Sequence, residues 1–284
     1  MPSLTATPVV VHPAPAPPVA AAAPARHWPR RILRAGGNVL TRIAAITALA
    51  VIWEVFPRFG LVDAVFLPPL SEVLVAWKDL LVSGELWSHT SASLARSAAG
   101  FGLAVAVGVP LGLLIGWYTP VANLLNPLLE VFRNTAALAI LPVFVLILGL
   151  GETSKVAIIF YGCTWPILLN TVSGVRTVDP LLIKSARSLG LGPVRLFQKV
   201  VLPAAVPTIF TGIRLAGAAS ILILIAAEMV GAKAGLGYLI NYAQYNFAVP
   251  DMYAGIITIS AIGLAVNQLL VVTERRFSTW RTQS

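Results

Sequence analysis

An all-α polytopic membrane protein with six transmembrane helices is the architecture this 284-residue sequence predicts, on three observations. Hydrophobic residues make up 57% of the chain and charged residues only 11%, far below the roughly 25% of soluble domains. Apolar runs of bilayer length recur, at about 39–56, 97–117, 127–149, 155–175, 204–230 and 252–272. Each run is continuously apolar and does not alternate, so it reads as a helix that closes its own backbone hydrogen bonds and not as a barrel strand.

Charge placement sets the orientation. With six spans and a cytoplasmic N-terminus, both termini and the loops near 118–126 and 176–203 lie inside, together with thirteen of the twenty basic residues. This is the positive-inside bias, and it assigns the net charge of +9 to topology and lipid headgroups, with no nucleic-acid partner. The expected location is the bacterial inner membrane, multi-pass. The single Cys163 lies within an apolar run and reads as a packing residue.

Residues 1–35 are a Pro/Ala-rich tail that turns basic at RHWPRRILR; the Pro/Ala tract cannot bury a core and, because its basic residues follow the alanines, does not read as a signal peptide. A transmembrane domain over 36–276 follows, then a short C-terminal tail, 277–284. Between the first two spans, Phe66–Thr90 carries Leu70, Val73, Leu74, Trp77, Leu80 and Leu81 at helical spacing, with Ser71 placed to cap. Its apolar stripe suits packing onto the bundle or the membrane interface, or a partner dock. Gly108, Gly112 and Gly116, spaced by four, predict close helix approach in the second span.

The loop 176–203 is the informative insert. Asp179-Pro180 is an N-cap followed by proline at the first helical position, and Gly190 supplies a stop, which gives a helix of about 15 Å. On it Leu181, Leu182, Ser185, Ala186 and Leu189 are expected to share a buried face, opposite Lys184, Arg187 and Ser188. Gly192-Pro193 starts a second helix that Leu202-Pro203 is expected to end. Two capped helices with a small-residue centre predict a docking surface for another protein.

That loop resembles the EAA loop of permease subunits of ATP-binding-cassette importers, in which Glu-Ala-Ala is followed after three residues by Gly and, nine residues later, by an aliphatic residue, any residue and Leu-Pro. Ser185-Ala186, Gly190, Val200, Leu202 and Pro203 stand at the matching positions, with Lys184 where the family has Glu. HTSASLARSAAGF, LGLGETSKV, NTVSGVRTVDPLL, VVLPAAVPTIFTGIRLA and AAEMVGAKAGLGYLI extend the resemblance to the branch that handles nitrate, taurine and alkanesulfonates. Arg133-Asn134-Thr135-Ala136 departs from relatives, which carry a Pro-containing segment after the Arg. The resemblance implies six spans, a homodimer, a cytoplasmic ATPase dimer docking on the loop through Asp179, Lys184, Ser185, Ala186, Gly190, Leu202 and Pro203, an extracytoplasmic binding protein, and no cofactor or metal.

Ionisable residues inside spans need partners or a wet cavity. Glu130 and Arg133 can pair at i,i+3, or Arg133 can face an anion route. Arg214 and Glu228, fourteen residues and about 21 Å apart on one span, must each find a partner elsewhere. Arg133, Arg214 and Glu228 are the candidate substrate pathway. Gly231–Leu239, GAKAGLGYL, reads either as a hinge or gate loop or as a plain turn. No metal-spaced His/Cys set, nucleophile elbow or phosphate loop occurs, so ATP hydrolysis belongs to partners and the chain is not an enzyme. An ATP-independent channel or secondary carrier is the competing function, and the capped hairpin weighs against it.

Overall fold

The computed structural model describes residues 44–277, with side chains to Arg275, so the predicted tails fall outside it apart from Phe277. Contacts divide the chain into two units, Met1–Val51 and Ile52–Ser284. In the first, residues 44–51 are helical and begin α1, which runs on to residue 58. All else described here lies in the second unit.

The order there is α2 (Leu70–Val82), α3 (Glu85–Trp117), α4 (Thr119–Asn134), α5 (Ala137–Leu148), α6 (Glu152–Arg176), α7 (Pro180–Ser188), α8 (Pro193–Leu196), α9 (Leu202–Met229), α10 (Leu236–Tyr245) and α11 (Val249–Phe277). Among the described residues the regular structure is helical throughout. Four helices are long and apolar enough to cross a membrane: Glu85–Trp117, Glu152–Arg176, Pro193–Met229 and Val249–Arg275. The α4–α5 pair makes up to five. The first expected span begins before residue 44, outside the described residues, so six spans are not established. The observed helices overrun the apolar runs, because Glu85 and Glu152 in their first turns, and Arg96 further along α3, are still helical.

The third run differs from expectation. Instead of one helix over 127–149, α4 and α5 meet at 95°. Thr135 and Ala136 are extended, and the side chains of Asn134 and Thr135 donate to the carbonyls of Glu130 and Val131 four residues back, at 2.8 and 2.9 Å. Those bonds close the last turn of α4 and give its carbonyls partners other than a following helical turn.

α3, α6 and α9 form the centre. Small residues let α3 lie directly on α6: a Cβ added at Gly112 would stand 2.6 Å from Thr171 Cβ and 2.9 Å from the Leu168 carbonyl. The glycine spacing read from the sequence is therefore a contact stripe. Ile158, Ile159, Cys163, Ile167 and Leu224 fill the interior beside it, and Cys163 Sγ sits 3.4 Å from the Ala216 carbonyl as a packing residue.

α2 packs with α11 through Val73, Trp77 and Leu80, and Trp77 Nε1 donates to Thr258 Oγ1 at 3.0 Å. Its stripe is narrower than expected, since Leu74 and Leu81 are exposed. Nor does Ser71 cap the helix. Its N–H and hydroxyl donate to the Glu54 carboxylate at 2.9 and 3.0 Å, so a carboxylate from the preceding helix satisfies a first-turn N–H of α2.

Candidate functional site

α7 forms as its sequence dictates. Asp179 Oδ1 accepts from the Leu181 N–H at 2.8 Å, Pro180 occupies the first turn, and Gly190 takes φ +80°, which ends the helix without a Cβ penalty. The face it buries is not the expected one. Ala186 is buried and Ile183 half-buried, whereas Leu181, Leu182 and Leu189 are 68%, 52% and 81% exposed, beside exposed Lys184, Ser185 and Arg187. A nine-residue helix has room for one contact line, and the hydrophobic Val175, Val178 and Val201 cluster draws Ile183 to it.

The second helix also departs from expectation, because Leu202-Pro203 does not end it. α8 passes through a π-turn at Phe197–Val201 into α9, giving one helical run from Pro193 to Met229. Proline has no N–H and its ring crowds the carbonyl four residues back, and a widened turn immediately before Pro203 takes up that conflict. Asp179 and Pro203, the first and last loop residues singled out, meet across a groove of about 400 Å³ that Thr177, Leu182, Pro207 and Thr208 also line. Leu202 lines a second groove, of about 600 Å³, with Leu113, Trp117, Val194 and Phe197.

The three intramembrane candidates stand apart. Arg133 is exposed on α4, and it makes no ion pair with Glu130 among the described residues, although i,i+3 spacing permits one. Arg214, 45% exposed, lies 3.3 Å from Glu274 of α11. Glu228 is fully buried and belongs to a polar cluster that sequence reasoning did not assemble.

That cluster lies where α6 begins and α9 ends, the opposite end of both from the α7 hairpin. Arg96 of α3 donates through Nη1 to Glu228 at 2.7 Å and to the Ala234 carbonyl at 2.6 Å, through Nη2 to Glu152 at 2.7 Å, and through Nε to Glu152 as well. Ser93 Oγ lies 2.8 Å from both Glu228 oxygens and also accepts from the Leu236 N–H at 2.8 Å. His89 Nδ1 accepts from the Gly235 N–H at 3.1 Å, and Glu228 accepts from the Gly237 N–H at 2.9 Å. Residues 89, 93 and 96 fall on one face of α3, and with Glu228 they hold a backbone group of each of the four residues 234–237.

GAKAGLGYL is therefore a pinned turn. Gly235 has φ +120°, and a Cβ there would meet the Glu228 carboxyl and stand 2.6 Å from Arg96 Nη1. Glu228 also occupies the N-terminus of α10, where first-turn N–H groups favour a carboxylate. One signal for the cluster was present in the sequence: His, Ser and Arg at spacings of four and three inside an apolar helix. Which carboxylates it would meet depends on the packing of three distant segments.

Residues 108–279 match the family model described as "Binding-protein-dependent transport system inner membrane component". The chain is 36% identical to SsuC of Bacillus subtilis (strain 168), a permease protein named for aliphatic sulfonates, over 81% of this chain and 83% of that one. It is 32% identical to the taurine transport system permease protein TauC of Escherichia coli (strain K12), covering 86% and 90%. It is 33% identical to the bicarbonate transport system permease protein CmpB of Synechococcus elongatus, covering 84% and 89%. Among solved structures, an inward-facing MetNI methionine ABC transporter is similar with a TM-score of 0.57 at 18% identity, covering 70% of this chain and 96% of that one. A crystal structure of an amino acid ABC transporter with histidines gives a TM-score of 0.54 at 23% identity, covering 70% and 97%. The relatives are transport subunits without an ATPase site of their own, and ATPase and substrate-binding-protein partners go with the family. The chain belongs to the family of inner-membrane permease components of binding-protein-dependent ABC importers.

Proposed function

We propose that two copies of this chain form the membrane pathway for a small anion, an organic sulfonate such as taurine first and nitrate second. A cytoplasmic ATPase dimer docks on the 176–203 hairpin and drives alternating access, and an extracytoplasmic binding protein delivers the solute. Both termini are cytoplasmic, by the positive-inside distribution of Lys and Arg.

The observation that carries this reading is the surface of α7. Leu181, Leu182 and Leu189 are exposed on a helix that is capped at both ends and bears Lys184 and Arg187. A solvated connector needs neither fixed ends nor exposed leucines, whereas a protein partner covers such side chains. The solute class is supported by relatives named for sulfonate, taurine and bicarbonate, all anion-bearing solutes, and by Arg133 and Arg214, cations that a route for anions can use.

The test is ATP-driven uptake by the complete transporter in proteoliposomes, with taurine, an alkanesulfonate and nitrate compared. Lys184→Glu is expected to leave coupling nearly intact, since docking rests on shape and uncharged side chains. Gly190→Trp is expected to abolish it, because a large L-residue at φ +80° is strained and intrudes on the α7 surface. The reverse ranking would show electrostatic docking. Gln at both Arg133 and Arg214 is expected to reduce uptake several-fold while binding-protein affinity for solute stays unchanged; undiminished uptake would remove both from the route.

A further inference from the structure

The Arg96 cluster has two unequal arms. Glu228 is 0% exposed and is held by Ser93 and the Gly237 N–H in addition to Arg96. Glu152 is 68% exposed, and Arg96 is the one side-chain donor recorded on its carboxylate among the described residues. Parting Arg96 from Glu228 strands a buried charge in a dry site. Parting it from Glu152 breaks two charge-assisted bonds but returns to water only a carboxylate that already faces it, and the buried Arg96 keeps Glu228 and the Ala234 carbonyl. With one partner facing water, this arm costs less to open than the fully buried Glu228 arm.

Glu152 also stands at a junction between two helices. It is the first residue of α6, directly after Gly149-Leu150-Gly151, where Gly149 has φ +78° and Lys155 Nζ holds the Leu150 and Gly151 carbonyls at 2.8 and 3.1 Å. α5 thus lies between two non-helical joints, the 95° break at Thr135-Ala136 and this glycine turn. Hinges are short element-terminal segments of this sort.

We infer that Glu152 is a releasable latch: during transport it parts from Arg96 and frees the α5–α6 junction, while the Arg96–Glu228 pair stays closed and keeps α3, α9 and the 234–237 turn as one body. Glu152 is a positioning residue, acting through Arg96. The inference rests on the chain's place in an ATP-driven importer, and it does not depend on which solute is carried or on the contacts of α7.

The experiment compares Glu152→Gln, Glu152→Asp and Glu228→Gln in the complete transporter, reading membrane yield, thermal midpoint, and ATP hydrolysis with and without binding protein. Glu152→Gln is expected to keep wild-type yield and midpoint. Its hydrolysis without binding protein should rise severalfold, and solute moved per ATP should fall to match. Glu152→Asp, which keeps a carboxylate, should recover much of the coupling, and Glu228→Gln should lose yield. Unchanged hydrolysis in Glu152→Gln overturns the inference, as does a loss of yield equal to that of Glu228→Gln, which would make Glu152 a structural arm. The hydrolysis arm needs no solute, so a wrong solute class leaves it readable.

Discussion

Glu228→Ala is expected to destabilise the permease by about 3–5 kcal/mol, the cost typical of removing one partner from a buried ion pair. The carboxylate is fully buried and accepts from Arg96, Ser93 and the Gly237 N–H. Its loss leaves a guanidinium, a hydroxyl and a first-turn N–H of α10 short of an acceptor at once. Water cannot easily replace it in a site enclosed by three helices. The measurement is the thermal midpoint of purified transporter in detergent, with membrane yield as a second readout. Adding Arg96→Leu should recover part of the loss, because the stranded charge then goes too; no recovery would mean that the Ser93 and Gly237 contacts carry the cost.

Gly235→Ala ranks next, at about 3 kcal/mol or more, from two sources that add. The residue sits at φ +120°, a conformation that L side chains rarely adopt, and strain of that kind costs on the order of 1–3 kcal/mol. The new methyl would also press on the Glu228 carboxyl and Arg96 Nη1, and forced repacking costs about 1–3 kcal/mol more. Amide exchange at 235–237 in the intact transporter should accelerate strongly. If exchange there matched wild type, the turn would have a second supporting set of contacts. Gly192→Ala, at an exposed glycine with open space around its Cβ position and no positive φ, serves as a neutral control.

Long apolar runs gave the main helices, since their meaning depends on composition alone. The capping of α7 was equally legible: Asp-Pro at one end and Gly at the other act within a few residues. What escaped was set by contacts between distant segments. Leu181 and Leu182 were placed on a buried face by helical spacing, but spacing cannot say which of two faces meets the bundle, and the valines at 175, 178 and 201 favoured Ile183 instead. The break at Thr135 was hidden inside an apolar run, where two polar side chains turned back onto carbonyls and ended a helix that hydropathy alone would continue. For the candidate site, the sequence picked out Glu228 but not its partners, because Arg96 lies 132 residues away and Glu152 opens a different helix.

The π-turn at Phe197–Val201 has a rotational consequence. A π-turn accommodates about one residue more than an α-turn, so everything before it is swung by about 100° relative to an uninterrupted helix. The run from Pro193 to Met229 holds 37 residues, a shaft of about 55 Å if straight, with the loop hairpin at one end and Glu228 at the other. Its angular phase is thereby keyed: the direction in which buried Leu196 faces is set against the direction in which Glu228 faces, much as a key fixes a wheel on an axle.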